Sequence, residues 1–536
     1  AGFQTGDLRH HHQKHRILAD IPVVGGKHIL TTLIQNTIRL KDYQKEESKE
    51  EDMQKLPMLS KEDLKKEAMP LINEEKDIEG VPVILHDIFS NGIDYLSCMF
   101  DIKDMELEDI PYLGLLRGVL GMMDTDHATY RELSNAINIY TGGISCGFAV
   151  YPKLSKEQET KVEFEIRIRV LKEQLHKAME LVDDILNYSH IEDTKRLAEI
   201  ITQTKSRLQS SLSGSGHMVA AMRSMSYGSL YGYYQDATSG IAYYDAICKM
   251  DAQMKTEPEL VIASIRKVMK QIFGQERVLV SFTAQKDGYD RAVPALQKFL
   301  ESLPKGCPAE EMECYALGQQ NEGFTDASAI QYVSRSGNFV KHGFQYTGAL
   351  NILKMILSYD YLWNNVRVKG GAYGCSSSFL RTGDSYFTSY RDPNLGKTNE
   401  VYAKVPEYIR NFRADEREMT KYIIGTLGSM DTPLYPEGKG QRAITAYLKR
   451  LTLEELQAER DEILSATDED IRALFAGQPE FHRYTENTIA NVDELIEEVR
   501  RVRVAGYAVD NQEFGVGLIC MARPVRDYTG KIVAAI

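Results

Sequence analysis

The sequence predicts an α+β fold of two related domains, each a mostly antiparallel sheet covered by helices, preceded by a helical linker. Runs rich in β-branched and aromatic residues, such as 81–86 and 93–100, predict strands. Apolar residues at helical spacing, chiefly between 156 and 212, predict long helices. A unit of helix, Gly-Gly and strand occurs twice, with Gly143 and Gly371 lying 228 residues apart (371 minus 143). That period is too long for a solenoid and fits two copies of one domain.

Changes in composition divide the chain into five segments. Residues 1–36 have no clear pattern and are predicted to be disordered, whereas the strongly charged residues 37–78 are predicted to be a helical linker. The first α/β repeat is placed at 79–305 and the second at 306–478. Residues 479–536 differ in character from both repeats and form a separate C-terminal piece.

Several element boundaries follow from local patterns. In the first repeat a helix is expected over 293–303, with Pro294 tolerated in its first turn. In the second repeat we expect a strand over 339–344, a helix over 349–363 and a helix over 400–412.

Composition narrows the class of partner. A hydrophobic content of 43% with 26% charged residues is that of an ordinary globular protein. No window approaches the ~18 apolar residues that span a bilayer, so no membrane partner is expected. The net charge of −13 argues against nucleic acid. It either favours basic peptides by long-range attraction or serves only solubility. Seven scattered cysteines predict reduced thiols and a cytoplasmic location.

The segment 367–374, Arg-Val-Lys-Gly-Gly-Ala-Tyr-Gly, is the strongest candidate site. Three glycines among eight residues are unsuited to a helix and let the backbone approach a ligand closely. Arg367 and Tyr373 would then bring two polar side chains to that ligand. The alternative is a surface ion pair for Arg367 and simple packing for Tyr373. Nowhere in the sequence is there an H-x-x-E-H zinc motif.

Residues from about 37 to 475 resemble the linker and C-terminal half of presequence proteases, which are zinc peptidases of the insulinase/pitrilysin type. The resemblance depends on several separated motifs in the expected order. They are Leu40–Gln44, Leu56–Leu64, Tyr130–Leu133, Tyr140–Gly143, Ser215–His217, Gly370–Gly374 and Tyr390–Pro393.

The resemblance implies one half of a peptidase clamshell that closes around a peptide. In that family the N-terminal half holds zinc, and the C-terminal half contributes an Arg and a Tyr to the substrate and the oxyanion. Arg367 and Tyr373 match these positions, and Gly370, Gly371 and Ala372 are predicted to bind substrate. This chain is expected to hold no metal and no cofactor of its own, with zinc in a missing catalytic half. Its expected partners are unfolded peptides and that H-x-x-E-H half.

Residues from about 483 to 536 resemble part of the effector-binding domain of IclR transcription regulators. Asp510 and Cys520 match positions that line the small-molecule pocket of that family. The alternative is a turn aspartate and a buried thiol. A junction between the two resemblances is expected near residue 478.

Two further features are weaker candidates. His10, His11, His12 and His15 are candidate ligands for a transition metal, and His11 and His15 have the spacing of an inverted zinc motif. Lys14 stands where that motif needs a general base, so no metal site is predicted. Six tyrosines between 227 and 244 either line the chamber or pack in the core.

The predicted function is therefore the substrate-binding, non-zinc half of a presequence-protease-like metalloendopeptidase that degrades short unfolded peptides. The second hypothesis, from a different class, is a non-enzymatic ligand-sensing or peptide-binding module related to IclR-type regulators.

Overall fold

The chain divides into two units, Ala1–Ser60 and Lys61–Ile536. The computed structural model describes residues 23–46, 51, 55, 59–152, 160–309, 318, 320–325, 327–475, 485–489, 492–513, 517, 519–526 and 532–535. The first unit contains helix α1 (Val23–Lys45), whose side chains from 31 to 43 are all exposed. α1 begins inside the segment predicted to be disordered, of which residues 1–22 lie outside the described part of the chain.

A six-stranded sheet forms the base of the first repeat. Its strands are β1 (Glu74–Ile78), β2 (Val81–Asp87), β3 (Ile93–Asp101), β4 (Gly143–Tyr151), β5 (Lys161–Leu171) and β6 (Val278–Ala284). They lie in the order β1-β2-β6-β3-β5-β4, and all neighbours are antiparallel except β2 and β6. β1 starts inside the range predicted for the linker. Along β5, buried apolar residues alternate with charged ones, so one face of the sheet is apolar and the other is largely polar.

Nine helices of the described residues accompany this sheet, and many of their apolar side chains join one core with Phe100, Phe164 and Phe282 of the strands. They are α2 (Ile110–Val119), α3 (Tyr130–Tyr140), α4 (Leu175–Asn187), α5 (Thr194–Gly214), α6 (Gly216–Ser226), α7 (Leu230–Ser239), α8 (Ile241–Thr256), α9 (Pro258–Ile272) and α10 (Lys286–Ser302). α3 begins at a capping box in which Thr129 and Glu132 satisfy each other's backbone N–H groups.

The second repeat contains a smaller sheet. Its strands, β7 (Ser334–Asn338), β8 (Gly374–Phe379) and β9 (Asp384–Tyr390), lie in the order β7-β9-β8 and are all antiparallel. The order reproduces β3-β5-β4 of the first repeat. The helices are α11 (Ala349–Ile356), α12 (Gly396–Ala403), α13 (Val405–Asn411), α14 (Glu416–Met430), α15 (Pro436–Lys449), α16 (Leu453–Ser465) and α17 (Asp468–Ala473).

Each repeat supplies a helix that packs on the other repeat's sheet. α15 places Ile444 and Leu448 against Ile84 and Met99 of the first sheet. In the other direction, α6 lies against β7 and β9, and the Thr388 hydroxyl donates a 3.1 Å hydrogen bond to the carbonyl of His217. The polar faces of both sheets are thereby partly covered.

Three predicted boundaries are wrong in the second repeat. The strand expected over 339–344 is a short 3₁₀ turn, Val340–His342, because the Asn338 side chain accepts a hydrogen bond from the Lys341 N–H and diverts the backbone. The helix expected over 349–363 instead passes into two π-helical segments, Leu357–Tyr361 and Trp363–Val368. The helix expected over 400–412 is divided into α12 and α13, with Pro406 at the start of α13.

The helix expected over 293–303 is also longer than predicted. It starts at Lys286, so Pro294 lies inside α10 rather than in its first turn. The proline removes one intrahelical hydrogen bond, and burial of Ala292, Leu296 and Phe299 offsets that loss.

The described part of the C-terminal piece contains one helix and two hairpins. Helix α18 spans Val492–Ala505, and the strands are β10 (Ala508–Asn511), β11 (Ile519–Ala522), β12 (Pro524–Arg526) and β13 (Ile532–Ala535). The elements of the two repeats confirm the predicted α+β class with mostly antiparallel sheets.

Candidate functional site

Arg367 lies near the end of the second π-helical segment, one turn after Trp363. Its guanidinium carbon is 4.1 Å from the centroid of the Trp363 ring and 5.7 Å from that of Tyr373. Cation–π attraction to each of the two rings holds the charged group beside them. π-helical turns are rare and recur at functional sites, which fits the position of this arginine.

The Gly370–Gly371 loop makes a turn that other residues do not accommodate. A Cβ atom on Gly370 would lie 2.4 Å from the carbonyl oxygen of Val366, and Gly371 has a φ of +83°. The Gly371 N–H donates to the Arg367 carbonyl at 2.8 Å. These glycines set the direction of the chain between Arg367 and Tyr373, and their predicted contact with substrate stays a prediction.

Ala372 has its side chain in the second core and is 4% exposed. Its N–H donates to the Val366 carbonyl at 3.1 Å. A methyl group in the core has no access to a ligand. The substrate binding predicted for Ala372 could therefore involve only its backbone.

Tyr373 is 66% exposed and stands at the entrance to β8. Its backbone N–H donates to the Tyr390 carbonyl at 3.0 Å, and its ring is 5.8 Å from the Tyr390 ring. The backbone is therefore fixed by the sheet while the phenol points away from the core. In the described part of the chain the Tyr373 hydroxyl forms no hydrogen bond, so it is free to donate to a ligand.

A second loop, Arg391–Asn394, interlocks with the first. The buried Asp392 carboxylate accepts hydrogen bonds from the Asn394 N–H at 2.8 Å and the Thr398 hydroxyl at 2.7 Å. The Asn394 side chain donates to the Gly370 carbonyl at 2.6 Å. Hydrogen bonds thus join the two loops into one structure around Arg367 and Tyr373.

Aromatic rings extend this site along the second sheet. The Tyr390 ring is 4.8 Å from the imidazole of His217 and 5.7 Å from the ring of Tyr332. Burial lowers the pKa of His217, so its ring is neutral near pH 7. Trp363, Tyr373, Tyr390, Tyr332 and His217 together give an aromatic surface beside the Arg367 guanidinium.

Cys375 is the thiol of this region, and its chemistry does not fit a nucleophile. Burial raises the pKa of Cys375 to about 11, against the opposing effect of Arg367. The thiol is therefore protonated at neutral pH and unreactive.

The remaining predicted residues lie elsewhere. Asp510 and Cys520 are directly opposed in the β10–β11 hairpin, where the Asp510 carboxylate accepts a hydrogen bond from the Glu513 N–H and Cys520 is exposed. Of the six tyrosines, Tyr234 and Tyr243 are buried in the first core. The histidines at 10–15 lie outside the described residues.

Sequence reasoning missed Trp363 and Asn394. A signal for Trp363 was present, because residues four apart on a helical turn are neighbours and Trp363 precedes Arg367 by four. Asn394 left no local signal, since its partner Gly370 is 24 residues away.

In the described ranges, no three His, Cys, Asp or Glu side chains come together in a way that could hold a metal ion. The residues present around Arg367 and Tyr373 accordingly do not fit zinc. Nor does any helix of that part of the chain have the length and apolar character needed to cross a bilayer.

Family comparisons match most of the chain in two blocks. The family of domains associated with M16 peptidases of subfamily C matches residues 18–250, and the "PreP C-terminal domain" matches residues 321–493. A third family, "Bacterial transcriptional regulator IclR C-terminal", matches residues 462–536 and so overlaps the second block.

Curated relatives agree with the two main blocks. The chain is 40% identical over 445 residues to Protein HypA of Clostridium perfringens, an alignment that covers 83% of this chain and 46% of that protein. It is 28% identical over 466 residues to Presequence protease 1, chloroplastic/mitochondrial, of Arabidopsis thaliana, covering 86% of this chain and 43% of that protein. The chain thus spans about half the length of the curated relatives it matches.

Solved structures share the fold. A protease from Helicobacter pylori has a TM-score of 0.55 at 11% identity, covering 76% of this chain and 96% of that one. A peptidase M16 inactive domain from Pseudomonas fluorescens has a TM-score of 0.52 at 14% identity, covering 76% and 94%.

The family matches and the curated relatives define the class as the M16 peptidase family. Within it, the chain is a presequence-protease-like member that corresponds to the C-terminal half, which confirms the predicted resemblance.

Proposed function

We propose that this chain is the substrate-binding half of a presequence-protease-like zinc metalloendopeptidase that degrades short unfolded peptides. The observation that carries the proposal is the position of Arg367, in cation–π contact with Trp363 and Tyr373 at an interlocked pair of loops. Its guanidinium and the Tyr373 hydroxyl are donors that stand ready before any substrate arrives.

Peptide hydrolysis needs such donors because negative charge develops on the carbonyl oxygen in the transition state. Donors that are already in place stabilise that charge without reorganisation, by about 3 to 4 kcal/mol for one lost donor. Arg367 offers several N–H groups in a planar fork, and Tyr373 offers one O–H. In this proposal both act on the carbonyl that is to be cleaved.

The peptide is proposed to lie along the outer edge of β8. In the described part of the chain β8 pairs only with β9, so its other edge has backbone groups available for an added strand. Tyr373 immediately precedes β8, which places its hydroxyl beside the path of such a peptide. The aromatic surface from Trp363 to His217 offers contacts to apolar side chains.

Zinc and the general base are proposed to come from an H-x-x-E-H half. That half, in the same chain or another, would supply the activated water, while Arg367 and Tyr373 bind and orient the peptide. The two functions require closure of one half on the other.

The test uses the purified chain and a catalytic half from a relative. We expect the chain alone to show no chelator-sensitive cleavage of a fluorogenic peptide. With the catalytic half added, Arg367→Ala or Tyr373→Phe should lower turnover by about one to three powers of ten, because each removes an oxyanion donor. Lys369→Ala, at an exposed neighbour, serves as the control. Unchanged turnover in both site variants would reject the assigned roles.

The second candidate, a ligand-sensing or peptide-binding module, is favoured by the IclR-type match over residues 462–536. A panel of small organic acids and a panel of unfolded peptides separate the two, because a ligand that binds the folded state raises its melting temperature. Stabilisation by acids alone would favour sensing, and stabilisation by peptides alone favours the peptidase half.

A further inference from the structure

Arg391 holds a backbone conformation that arginine rarely adopts. Its φ is +49°, in the left-handed region where glycine and asparagine are favoured. Such a conformation costs on the order of 1 kcal/mol or more and persists only where the surroundings impose it. Glycine or asparagine at this position would serve the turn better, so the turn itself gives no reason for an arginine side chain here.

The surroundings of Arg391 do impose the conformation. The next residue, Asp392, is fully buried, and its backbone exchanges two 2.8 Å hydrogen bonds with Gln331. The Asp392 carboxylate is satisfied by Asn394 and Thr398. Arg391 is therefore held at a fixed point of the loop while its own side chain is exposed.

The guanidinium of Arg391 is held beside an aromatic ring and keeps its donors free. It lies 5.5 Å from the centroid of Tyr390, and it forms no ion pair with any described residue. A guanidinium without a carboxylate partner in the protein is suited to bind a carboxylate of a ligand, in the bidentate geometry that arginine favours.

Arg391 is also close to the donors at the centre of the site. The Arg367 guanidinium is 5.7 Å from the Tyr373 ring, and that ring is 5.8 Å from the Tyr390 ring. The Tyr390 ring is in turn 5.5 Å from the Arg391 guanidinium. The two guanidinium groups are thus at most about 17 Å apart, or about five residues of an extended peptide. The Arg391 carbonyl also lies 3.4 Å from the Tyr373 N–H.

We propose that Arg391 is a second anion-binding residue of this site, which takes a carboxylate of the bound peptide within about five residues of the carbonyl at Arg367. The carboxylate comes either from an acidic side chain or from the peptide's C-terminus. This inference rests on the proposed peptide-binding function and adds to it a preference for negative charge at one subsite, in a protein whose net charge is otherwise −13.

The experiment measures binding of three labelled short peptides to the whole chain by fluorescence anisotropy at low salt. One has a central Glu and an amidated C-terminus, the second has Gln in place of Glu, and the third is the Gln peptide with a free C-terminus. We expect at least one carboxylate peptide to bind about 3- to 10-fold more tightly than the neutral one. Which of the two gains affinity identifies the source of the carboxylate.

Three variants locate the effect. Arg391→Gly accepts the positive φ and should abolish the preference while leaving affinity for the neutral peptide unchanged. Arg391→Lys should keep part of the preference, because it keeps the charge but not the planar fork. Arg410→Gln removes an exposed arginine from α13 and should change nothing. A melting temperature of Arg391→Gly equal to or above that of the unaltered chain shows that the fold is intact.

Two results would overturn the inference. If all three peptides bind the unaltered chain equally, or if Arg391→Gly keeps the preference, Arg391 takes no carboxylate and the peptide-binding function still stands. If no peptide binds at all, the proposed function fails together with this inference.

Discussion

At the scale of single residues, the site depends on contacts that cross from one loop to the other. Gly370 accepts a hydrogen bond from Asn394, and Gly371 lies beside Pro393, whose Cγ would be in ordinary van der Waals contact with an added Cβ at 3.5 Å. The short motif at 367–374 predicted Arg367 and Tyr373 because its residues are adjacent in sequence. It could not predict Asn394, because partners 24 residues apart leave no local pattern.

A buried carboxyl far from this site gives a pH prediction. Burial raises the pKa of Asp94 from 3.8 to about 6, with Arg291 opposing and Glu173 adding to the rise. The unfolded chain releases this proton near pH 4, so between about pH 4 and 6 the folded state binds more protons. The free energy of unfolding therefore falls as the pH rises through that window.

Asp94→Asn should remove this pH-dependent loss, because the amide resembles the protonated carboxyl. We expect similar melting temperatures for the variant and the unaltered chain near pH 4. Above pH 6 the variant should be more stable by up to about 3 kcal/mol, the free energy that corresponds to the rise in pKa. Asp290→Asn, at an exposed position in α10, is the control. A difference that is the same at every pH would contradict the assignment to Asp94.

At the scale of elements, sequence patterns predicted most helices and strands and missed their interruptions. Apolar spacing predicted a helix from Ala349 but not the π-helical segments that bring Trp363 and Arg367 together, whose Leu357 and Val366 are buried in the second core. The strand expected at Phe339 fails because Asn338 bonds locally. The sequence also did not predict that each repeat packs a helix on the other repeat's sheet, since periodicity shows which face of a helix is apolar but not which sheet that face meets.

The crossing of α15 on the first sheet gives a packing prediction. A Cβ atom on Gly440 would lie 1.8 Å from the Thr283 hydroxyl oxygen, whereas one on Gly438 would have no neighbour closer than 3.5 Å. Gly440→Ala should therefore destabilise the chain by about 1 to 3 kcal/mol through overpacking. Gly438→Ala, in the same helix, should be neutral or slightly stabilising. Thermal unfolding measures both, and equal melting temperatures for the two variants would contradict the close approach.

At the scale of the whole molecule, the exchanged helices make the two repeats depend on each other. α15 belongs to the second repeat and packs on the first sheet, and α6 belongs to the first repeat and packs on the second. The first residue of α6, Gly216, lies so close to the second repeat that an added Cβ would be 2.1 Å from the Tyr332 ring. The rings of Tyr332 and His217 that join the aromatic surface near Arg367 are brought together by this exchange, so the proposed site requires both repeats.

This dependence predicts that the two sheets open together. When α15 leaves the first sheet, Ile84 and Met99 lose their cover, and α15 itself, a segment of the second repeat, loses its apolar packing. Hydrogen exchange should therefore give amides of β6 and β9 similar free energies of opening. Gly440→Ala should lower both by a similar amount, and Gly438→Ala neither. If the amides of β9 keep their full protection from hydrogen exchange while those of β6 lose it, the repeats are independent units. The packing of each repeat's helix on the other repeat's sheet then does not couple them.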